Sequence, residues 1–308
     1  MSPLFLGADV GGSRTRVVLS DGIQIVSEAE GPGAAVRPDR ALASAATITE
    51  VIRHALGKAG HRRADVLVVG AAGAGRDPER EELRQALRAE MVAERVHVTT
   101  DIEIAIESAF GGGAGIVLTA GTGSIAIARD AEGRLHRCGG YGWQMGDEGS
   151  GYSIGRSALG AVGRAADGRS PETTLTAAIL AATRSSHLDA LIRWCAKAGP
   201  AEIASLAPTV FEVAATGDTT ARGIVDYAAR ELSQLVFHLL PHFPGESPIP
   251  VAYNGGLITR EGQLQQLLRS KLGEDARLRP SANPVEPAIG AVQMAERMGK
   301  DESPPGSE

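Results

Sequence analysis

The chain has 308 residues, enough for two domains, because single hydrophobic cores rarely grow beyond about 250–300 residues. A hydrophobic content of 43% supports packed cores, whereas a net charge of −6 and an aromatic content of 4% argue against a nucleic-acid-binding protein. The sequence has neither a signal-peptide pattern nor an apolar run of membrane-spanning length. We therefore expect a cytoplasmic protein that binds neither nucleic acid nor membrane.

The first predicted elements form a three-stranded meander. A strand over residues 4–10 is followed by a glycine turn, a strand over 16–20, an Asp21-Gly22 hairpin and a third strand. The pattern recurs over residues 115–140, with turns at Gly123 and Gly133 in place of those at Gly12 and Gly22, an offset of 111 residues. Such an internal repeat predicts two similar lobes.

Strands and helices alternate after the first meander, which predicts an α/β lobe with a mixed sheet. We expect lobes over residues 1–114 and 115–300, with the last helix (286–298) able to pack back on the first lobe, and a disordered tail over 301–308. We also expect strands over 64–75, 95–101 and 249–256, and helices over 39–56, 78–91, 150–166, 201–216 and 218–242.

Glycine turns follow four apolar strands, where exposed backbone N–H groups can bind anionic oxygens. Neither of the two commonest nucleotide fingerprints, GxxxxGK[ST] and GxGxxG, occurs. Any one turn also fits an ordinary hairpin, but matched turns on two repeated lobes favour a ligand held between the lobes. The turns are Gly11-Gly12, Gly73-Ala74-Gly75, Gly121-Thr122-Gly123 and Gly255-Gly256.

Two aspartates lie at the ends of predicted strands. Asp9 either satisfies the amides of the first turn or holds Mg²⁺ through water, and Ser13 and Thr15 add hydroxyls to that turn. Asp101 follows a β-branched strand and begins a helix, so it serves either as an N-cap or as a base. At the carboxyl edge of an α/β sheet, its carboxylate could accept a hydroxyl proton during phosphoryl transfer.

Residues 138–155 contain seven glycines around Asp147 and Glu148. Each glycine in an ordered element costs roughly 0.5–1 kcal/mol relative to alanine, so this density indicates close backbone approach or a hinge. The acidic pair either caps the following helix or presents Asp147 to a hydroxyl-rich ligand beside Tyr141 and Trp143. The seven histidines are scattered along the sequence, and a metal site at His238 and His242 is disfavoured.

The segments "GADVGGSRTRVVL", "LTAGTGSIAIARDAEG" and "CGGYGWQMGDEGSGYSIG" closely resemble the N-acetylglucosamine kinase group within the BadF-type ATPase family. The resemblance covers about residues 4–296. It implies the α/β fold of the actin-like ATPase and sugar kinase superfamily, with two duplicated ribonuclease-H-like lobes and a cleft between them. It also implies Mg²⁺-dependent phosphorylation of an amino sugar, N-acetylglucosamine or glucosamine, by ATP.

The resemblance further implies roles for individual residues. Asp101 would be the catalytic base. The phosphate loops would be Gly11–Thr15 and Gly121–Ser124, and Gly255-Gly256 would border the adenosine. Gly140, Tyr141 and Asp147 would belong to the sugar pocket. Related hexosamine kinases contact the sugar through an asparagine and a serine, where this chain offers Ala34, Ala35 and Ala72.

Two other classes of function stay open at this point. An ATP-driven electron-transfer activator of an acyl-CoA dehydratase or reductase would share an iron–sulfur cluster between subunits, each contributing two cysteines, and this chain has Cys138 and Cys195. A non-catalytic ATP- or sugar-binding sensor would need no base at Asp101. The particular sugar and hydroxyl stay open, as does a homodimeric state.

Overall fold

The computed structural model describes residues 3–245, 247–281 and 283–300, and the predicted tail over 301–308 lies outside them. The described chain forms two compact α/β units. The first comprises residues up to 113 together with those from 283 onward, and the second comprises the residues between them. The last helix therefore belongs to the first unit.

The strands, in chain order, are β1 Phe5–Val10, β2 Arg14–Ser20, β3 Ile25–Pro32, β4 Ala64–Ala71, β5 Ala93–Thr100, β6 Gly115–Ala120, β7 Ser124–Arg129, β8 Leu135–Gly139, β9 Ile249–Asn254 and β10 Leu278–Pro280. The helices are α1 Ala41–Lys58, α2 Asp77–Ala89, α3 Asp101–Phe110, α4 Gly151–Ala166, α5 Leu175–Ala182, α6 Leu188–Cys195, α7 Pro200–Ala204, α8 Ala207–Ala215, α9 Thr219–Phe237, α10 Gln263–Leu272 and α11 Pro287–Lys300.

The sheet of the first unit has the strand order β3-β2-β1-β4-β5 among the described residues. β2 is antiparallel to β1, whereas β4 and β5 run parallel to it, so the sheet is mixed as predicted. β4 is buried on both faces, which explains its uninterrupted apolar stretch Val66–Val69. One face packs against α1 and α2, and the other packs against α3 and α11.

The second unit repeats this topology, with the described strand order β10-β9-β6-β7-β8. β6 takes the central place of β1, pairing antiparallel with β7 and parallel with β9. Its core is built with side chains from β6, α4, α8 and α9. Two mixed sheets of equal order confirm the predicted α/β fold with duplicated lobes.

The repeat is real, but its register differs from the glycine offset. Val10 and Thr15 are paired on either side of the first turn, and Ala120 and Ser124 are the pair at the equivalent turn. The second unit therefore has one residue fewer in this turn. Its next turn, between Arg129 and Leu135, is one residue longer than the turn between Ser20 and Ile25. Counted from the paired residues Thr15 and Ser124, Gly123 is two residues nearer to the strand that follows than Gly12 is, and Gly133 is two residues farther beyond that strand than Gly22 is, so equally spaced glycines occupy different positions in the two turns.

Two helical predictions in the second unit need correction. The helix predicted over 201–216 is divided into α7 and α8, because the chain leaves helical pairing near Leu206 and Pro208 occupies the first turn of α8. The helix predicted over 218–242 ends at Phe237, and a short 3₁₀ turn containing Pro241 follows. Helices α5 and α6 were not predicted.

The described helices include none that combines the length and the apolar character of a membrane-spanning segment.

Candidate active site

Asp9 and Asp101 lie together at the carboxyl edge of the first sheet. Asp9 is the penultimate residue of β1, and Asp101 follows β5. Burial raises the pKa of Asp9 to about 6, and the neighbouring Asp101 carboxylate adds to the effect, against opposition from Arg14 and Arg16. Burial also raises the pKa of Asp101. Two carboxyl groups that resist ionisation together are typical of a functional site.

Asp101 does not cap the helix that it begins. The N-cap of α3 is Thr100, whose hydroxyl accepts a hydrogen bond from the Glu103 N–H at 3.2 Å. The Glu103 carboxylate in turn accepts from the Thr100 N–H at 3.1 Å, which completes a capping box. Because Thr100 caps α3, the alternative of an N-cap role for Asp101 falls away. Backbone hydrogen bonds from Ile102 and from Asp101 itself lower the pKa of the Asp101 carboxyl, but the effect of burial is larger.

The first glycine turn connects β1 to β2. The Gly11 N–H donates to the Arg14 carbonyl at 2.9 Å, and Ser13 is exposed. Gly12 has open space where a side chain would stand. Thr15 differs from the other predicted ligands: it is fully buried, and its hydroxyl donates to the Pro32 carbonyl at 2.8 Å. Thr15 therefore holds the turn to the end of β3 and is covered from any ligand.

The three alanines at the predicted sugar-contact positions border this turn. The Ala34 N–H donates to the Gly11 carbonyl at 3.1 Å, and the Ala72 N–H donates to the Val10 carbonyl at 2.9 Å. The Ala72 carbonyl accepts from the Val36 N–H at 2.8 Å, which joins the segment after β3 to the segment after β4. Ala35 lies between Ala34 and Val36 in sequence. The Ala34 side chain is buried, and none of the three alanines offers the hydrogen-bonding side chain that was expected beside the first turn.

The second glycine turn is bound to the start of α4. The Gly121 N–H donates to the Gly123 carbonyl at 2.9 Å. At the start of α4, the Gly151 N–H donates to the Gly121 carbonyl at 2.8 Å and the Tyr152 N–H donates to the Thr122 carbonyl at 3.2 Å. The Gly121 and Thr122 carbonyls thus face α4, while the Thr122 side chain stays exposed.

Asp147 lies against the same turn. One of its carboxylate oxygens accepts from the Ser124 N–H at 3.3 Å. A Cβ at position 123 would lie 2.7 Å from its other oxygen, which explains the need for Gly123. Asp147 adopts a left-handed φ of 63°, and burial raises its pKa, with Glu148 adding to the rise. Ser150, not the acidic pair, caps α4, so the capping interpretation of Asp147 is wrong.

Gly140 and Tyr141 lie at the start of the glycine-rich loop after β8. Gly140 has a left-handed φ of 72°, and a Cβ there would lie 2.4 Å from the Ile125 Cδ1 atom. The Tyr141 side chain is 64% exposed, and the Arg137 guanidinium stacks on its ring at 4.8 Å from the centroid. Tyr141 therefore offers an aromatic surface that a ligand can reach.

The third predicted nucleotide segment follows β9. Gly255 has a left-handed φ of 89°, and a Cβ there would lie 2.3 Å from the Ala120 carbonyl oxygen, so only glycine fits. Gly256 faces open space. Sequence reasoning missed Asn254, whose amide donates to the Thr119 hydroxyl at 3.3 Å. Thr119 takes the strand position of Asp9, which the 111-residue glycine offset hides because that offset aligns Asp9 with Ala120. The sequence signal for Asn254 was its place directly before the Gly255-Gly256 turn.

The cysteines and histidines show no metal centre. Among the described residues, no group of three or more histidine, cysteine or acidic side chains could hold a metal ion. Burial raises the pKa of both the Cys138 and the Cys195 thiol, which opposes the thiolate form that iron–sulfur clusters require. His242 stacks on His136, with ring centroids 3.6 Å apart, and this pairing was not expected from the sequence.

Known proteins resemble this chain over most of its length. It is 33% identical over 233 residues to an N-acetylmuramic acid/N-acetylglucosamine kinase of Clostridium acetobutylicum, covering 74% of this chain and 76% of the relative. It is 29% identical over 312 residues to an N-acetyl-D-glucosamine kinase of Dictyostelium discoideum, covering 95% and 97% of the two chains.

Solved structures agree with the fold. A Chromobacterium violaceum protein, provisionally assigned as an N-acetylglucosamine kinase, superposes with a TM-score of 0.77 at 28% identity, covering 95% of this chain and 99% of that one. A ROK hexokinase from Thermus thermophilus shares the fold with a TM-score of 0.61 at 19% identity, covering 96% and 99%. These findings confirm the resemblance inferred from the sequence.

The family model supplies the assignment. The model of the BadF/BadG/BcrA/BcrD ATPase family matches residues 6–295, which is nearly the whole described chain. Together with the duplicated sheets and the glycine turns at their edges, this match shows that the chain belongs to the BadF/BadG/BcrA/BcrD ATPase family.

Proposed function

We propose that this chain transfers the γ-phosphoryl group of ATP to a hydroxyl of an amino sugar, N-acetylglucosamine or glucosamine. Membership of an ATPase family supports the use of ATP, and the relatives named N-acetylglucosamine kinase support the sugar kinase class. The observation that carries the proposal is the buried carboxylate of Asp101, released from helix capping by Thr100 and lying beside Asp9.

In the proposed reaction Asp101 acts as the general base. Its carboxylate accepts the proton of the sugar hydroxyl, the hydroxyl oxygen forms a bond to the γ-phosphorus, and the bond to the bridging oxygen breaks to release ADP. Burial raises the pKa of Asp101, which makes its carboxylate a stronger base than a solvated aspartate. A carboxylate that is already desolvated also loses less hydration when the sugar arrives.

Asp9 is the candidate ligand for Mg²⁺, which when bound would neutralise the charge developing on the phosphate oxygens. The residues fit such an ion, because Mg²⁺ prefers oxygen ligands, keeps several waters and needs only one or two carboxylates. The raised pKa of Asp9 supports this role, since a nearby cation would favour the carboxylate form that burial opposes. Asp9 would bind the ion directly or through its water.

The phosphate-binding proposal extends to the glycine turns. Gly11, Gly12 and Ser13 leave the first turn open on one side, and Gly121, Thr122 and Gly123 form the second. Gly255 and Gly256 remain the candidates for the adenosine side. Thr15 is removed from the set, since its hydroxyl already donates to Pro32 and has no exposed surface.

The sugar is proposed to contact the loop that contains Gly140, Tyr141 and Asp147. Asp147 would accept hydrogen bonds from sugar hydroxyls while its contact with the Ser124 N–H ties the loop to the second glycine turn. The methyl groups of Ala34, Ala35 and Ala72 provide no hydrogen bonds of their own. Because buried polar partners give most discrimination between hydroxylated substrates, we expect a broader choice of sugar than an asparagine and a serine would allow.

A substrate panel tests the proposal. ADP release would be measured with N-acetylglucosamine, glucosamine, N-acetylmuramic acid and glucose, and the phosphorylated position would be read from the product by NMR. We expect ADP release that depends on an amino sugar. ADP release that no sugar stimulates would contradict a kinase and leave the sensor alternative.

The variant Asp101→Asn tests the base. Removing a general base typically lowers the rate by about 10²–10⁴-fold, so we expect turnover to fall by that order while nucleotide binding stays near wild type. Asp189→Asn, at an exposed position on α6, is the matched control and should keep full turnover. Near-wild-type turnover in Asp101→Asn would refute the assignment.

A further inference from the structure

A pocket of about 640 Å³ opens along α4 in the second unit. Its walls include Trp143, Tyr152, Arg156, Ser157, Arg164 and Cys195. Ligand pockets for small molecules commonly measure about 300–1,000 Å³, so this one has room for a monosaccharide derivative. The sequence suggested a role for two of these residues, Trp143 beside a hydroxyl-rich ligand and Cys195 as an iron–sulfur ligand, and none for the two arginines.

Two arginines give the pocket a positive charge. Arg156 and Arg164 are eight residues apart on α4, with Gly160 halfway, so all three share one helix face. A Cβ at Gly160 would lie only 3.4 Å from the Arg164 Nη1 atom, which means that the Arg164 guanidinium lies back along the helix toward Arg156. The absence of a side chain at Gly160 thus lets the two guanidinium groups approach one volume.

This charge is largely uncompensated. In the part of the chain that the structure describes, neither guanidinium makes a hydrogen bond or an ion pair, and no acidic side chain lines the pocket. Arg164 is within electrostatic range of Asp167, whose carboxylate is already paired with Arg169 at 2.7 Å. Burial raises the pKa of the Cys195 thiol, so that wall stays neutral and does not repel an anion.

An aromatic surface lies at the other end of the pocket. Trp143 is 45% exposed, and its ring centroid is 5.3 Å from that of Tyr152. An exposed indole held by a second ring gives a flat apolar surface of the kind on which the C–H face of a sugar ring stacks. Along α4 the order is therefore aromatic surface, first arginine, second arginine.

We propose that this pocket binds a phosphorylated sugar, with the phosphate between Arg156 and Arg164 and the ring against Trp143. Guanidinium groups bind phosphate through paired charge-assisted hydrogen bonds, which is why two free arginines favour this anion. The choice of a sugar phosphate rests on the proposed function, whose product is one. The site would then sense the product, and Tyr152, whose N–H donates to the Thr122 carbonyl, connects it to the second glycine turn.

Binding can be measured without catalysis. Full-length protein would be titrated with N-acetylglucosamine 6-phosphate in an isothermal titration calorimeter. N-acetylglucosamine would be titrated in the same way as the uncharged comparison. We expect the double variant Arg156→Gln/Arg164→Gln to bind the phosphate at least about tenfold more weakly, because it loses the charged donors. The control Arg62→Gln/Arg193→Gln removes the same charge from exposed positions outside the pocket and should bind like wild type.

The two cysteines locate the bound molecule. Both thiols are partly buried and have raised pKa values, but only Cys195 lines the pocket. We expect saturating N-acetylglucosamine 6-phosphate to slow alkylation of Cys195 by iodoacetamide, measured by peptide mass spectrometry, and to leave Cys138 unchanged. Loss of Cys195 protection in the arginine double variant would complete the assignment.

Several results would overturn the proposal. They are absence of binding, binding and Cys195 protection that both survive the Arg156→Gln/Arg164→Gln change, and protection that is equal at Cys195 and Cys138. Because no ATP is present in these experiments, their failure is separate from failure of the kinase proposal, which the sugar panel decides. Conversely, specific Cys195 protection in a protein without kinase activity would leave the pocket assignment standing.

Discussion

At the scale of single residues, the first unit holds carboxyl groups where ionisation is unfavourable. Asp9 and Asp101 are both desolvated, and burial favours the neutral acid form of each side chain more than water does. Such an arrangement lowers the stability of the free protein and is retained at functional sites. Thr100 contributes by capping α3, a task that would otherwise occupy Asp101.

The variant Asp9→Asn should stabilise the free protein at neutral pH. The folded-state pKa of Asp9 is about 6 against an ordinary value of 3.8, so ionised Asp9 costs stability above pH 6 and that cost disappears as the pH falls toward 4. A shift of this size corresponds to on the order of 2–3 kcal/mol. We expect a higher Tm for the variant at pH 7.5, a difference that shrinks toward pH 4, and reduced kinase activity.

Asp21→Asn provides the opposite sign as a control. Backbone hydrogen bonds from Gln24 and Ile23 lower the pKa of Asp21, so its carboxylate contributes stability above its unfolded-state pKa and loses it as the pH falls. Its replacement should lower Tm at pH 7.5. A lower Tm for Asp9→Asn at that pH would contradict the burial argument.

At the scale of elements, α11 holds the two elements that carry the aspartates. It packs on β1, which contains Asp9, and on α3, which Asp101 begins. The approach is close enough to exclude side chains: a Cβ at Gly290 would lie 2.0 Å from the Ile104 carbonyl, and one at Gly7 would lie 2.4 Å from the Val292 nitrogen. Glycine at these positions sets the distance between helix and sheet.

The same substitution should therefore have opposite effects at two helical glycines of the first unit. Gly290→Ala would force α11 away from α3 and should destabilise the protein by at least about 1–3 kcal/mol, as overpacking does. Gly57→Ala, on α1 with nothing within 4 Å of the new methyl group, should stabilise it by up to about 1 kcal/mol. Urea unfolding followed by circular dichroism measures both, and equal effects would contradict the packing account.

At the scale of the whole molecule, the two ends of the chain complete one unit. The last helix buries Phe5, Val66, Val68 and Ile104, although more than two hundred residues separate it from β4. The second unit, by contrast, takes its described elements from one continuous stretch. The first unit is therefore discontinuous in sequence, with the second unit inserted between its two parts.

A chain shortened to end at residue 281 tests this organisation. Without α11 the apolar face of the first sheet is exposed, and we expect fast hydrogen exchange at the amides of β1 and β4. The amides of β6 and β9 should stay protected, because the second unit keeps its own core and serves as the internal control. Unchanged protection of β1 would contradict a structural role for α11.

The sequence by itself determined the elements and the family. Strand and turn patterns depend on neighbouring residues, so the meander repeat, the four glycine turns and the motif around Asp147 are all visible in the order of the amino acids. The mixed sheet, the duplicated lobes and the family resemblance were confirmed. Helix α5 was missed because the short alanine-rich segment "LTAAILAA" lacks a clear apolar period. Helix α6, "LDALIRWC", is amphipathic but has only eight residues, a length at which the apolar pattern does not distinguish a helix from other structure.

Only the tertiary structure decided which groups meet. It brought Asp9 beside Asp101, put the Asp147 carboxylate against Gly123, buried the Thr15 hydroxyl, returned α11 to the first sheet and opened the pocket between α4 and Cys195. Each of these depends on contacts between residues far apart in sequence, whose distances follow from how whole elements pack. Local sequence patterns specify the helices and strands and which of their faces are apolar. The packing of those apolar faces then decides which polar side chains lie close together at the ends of the strands.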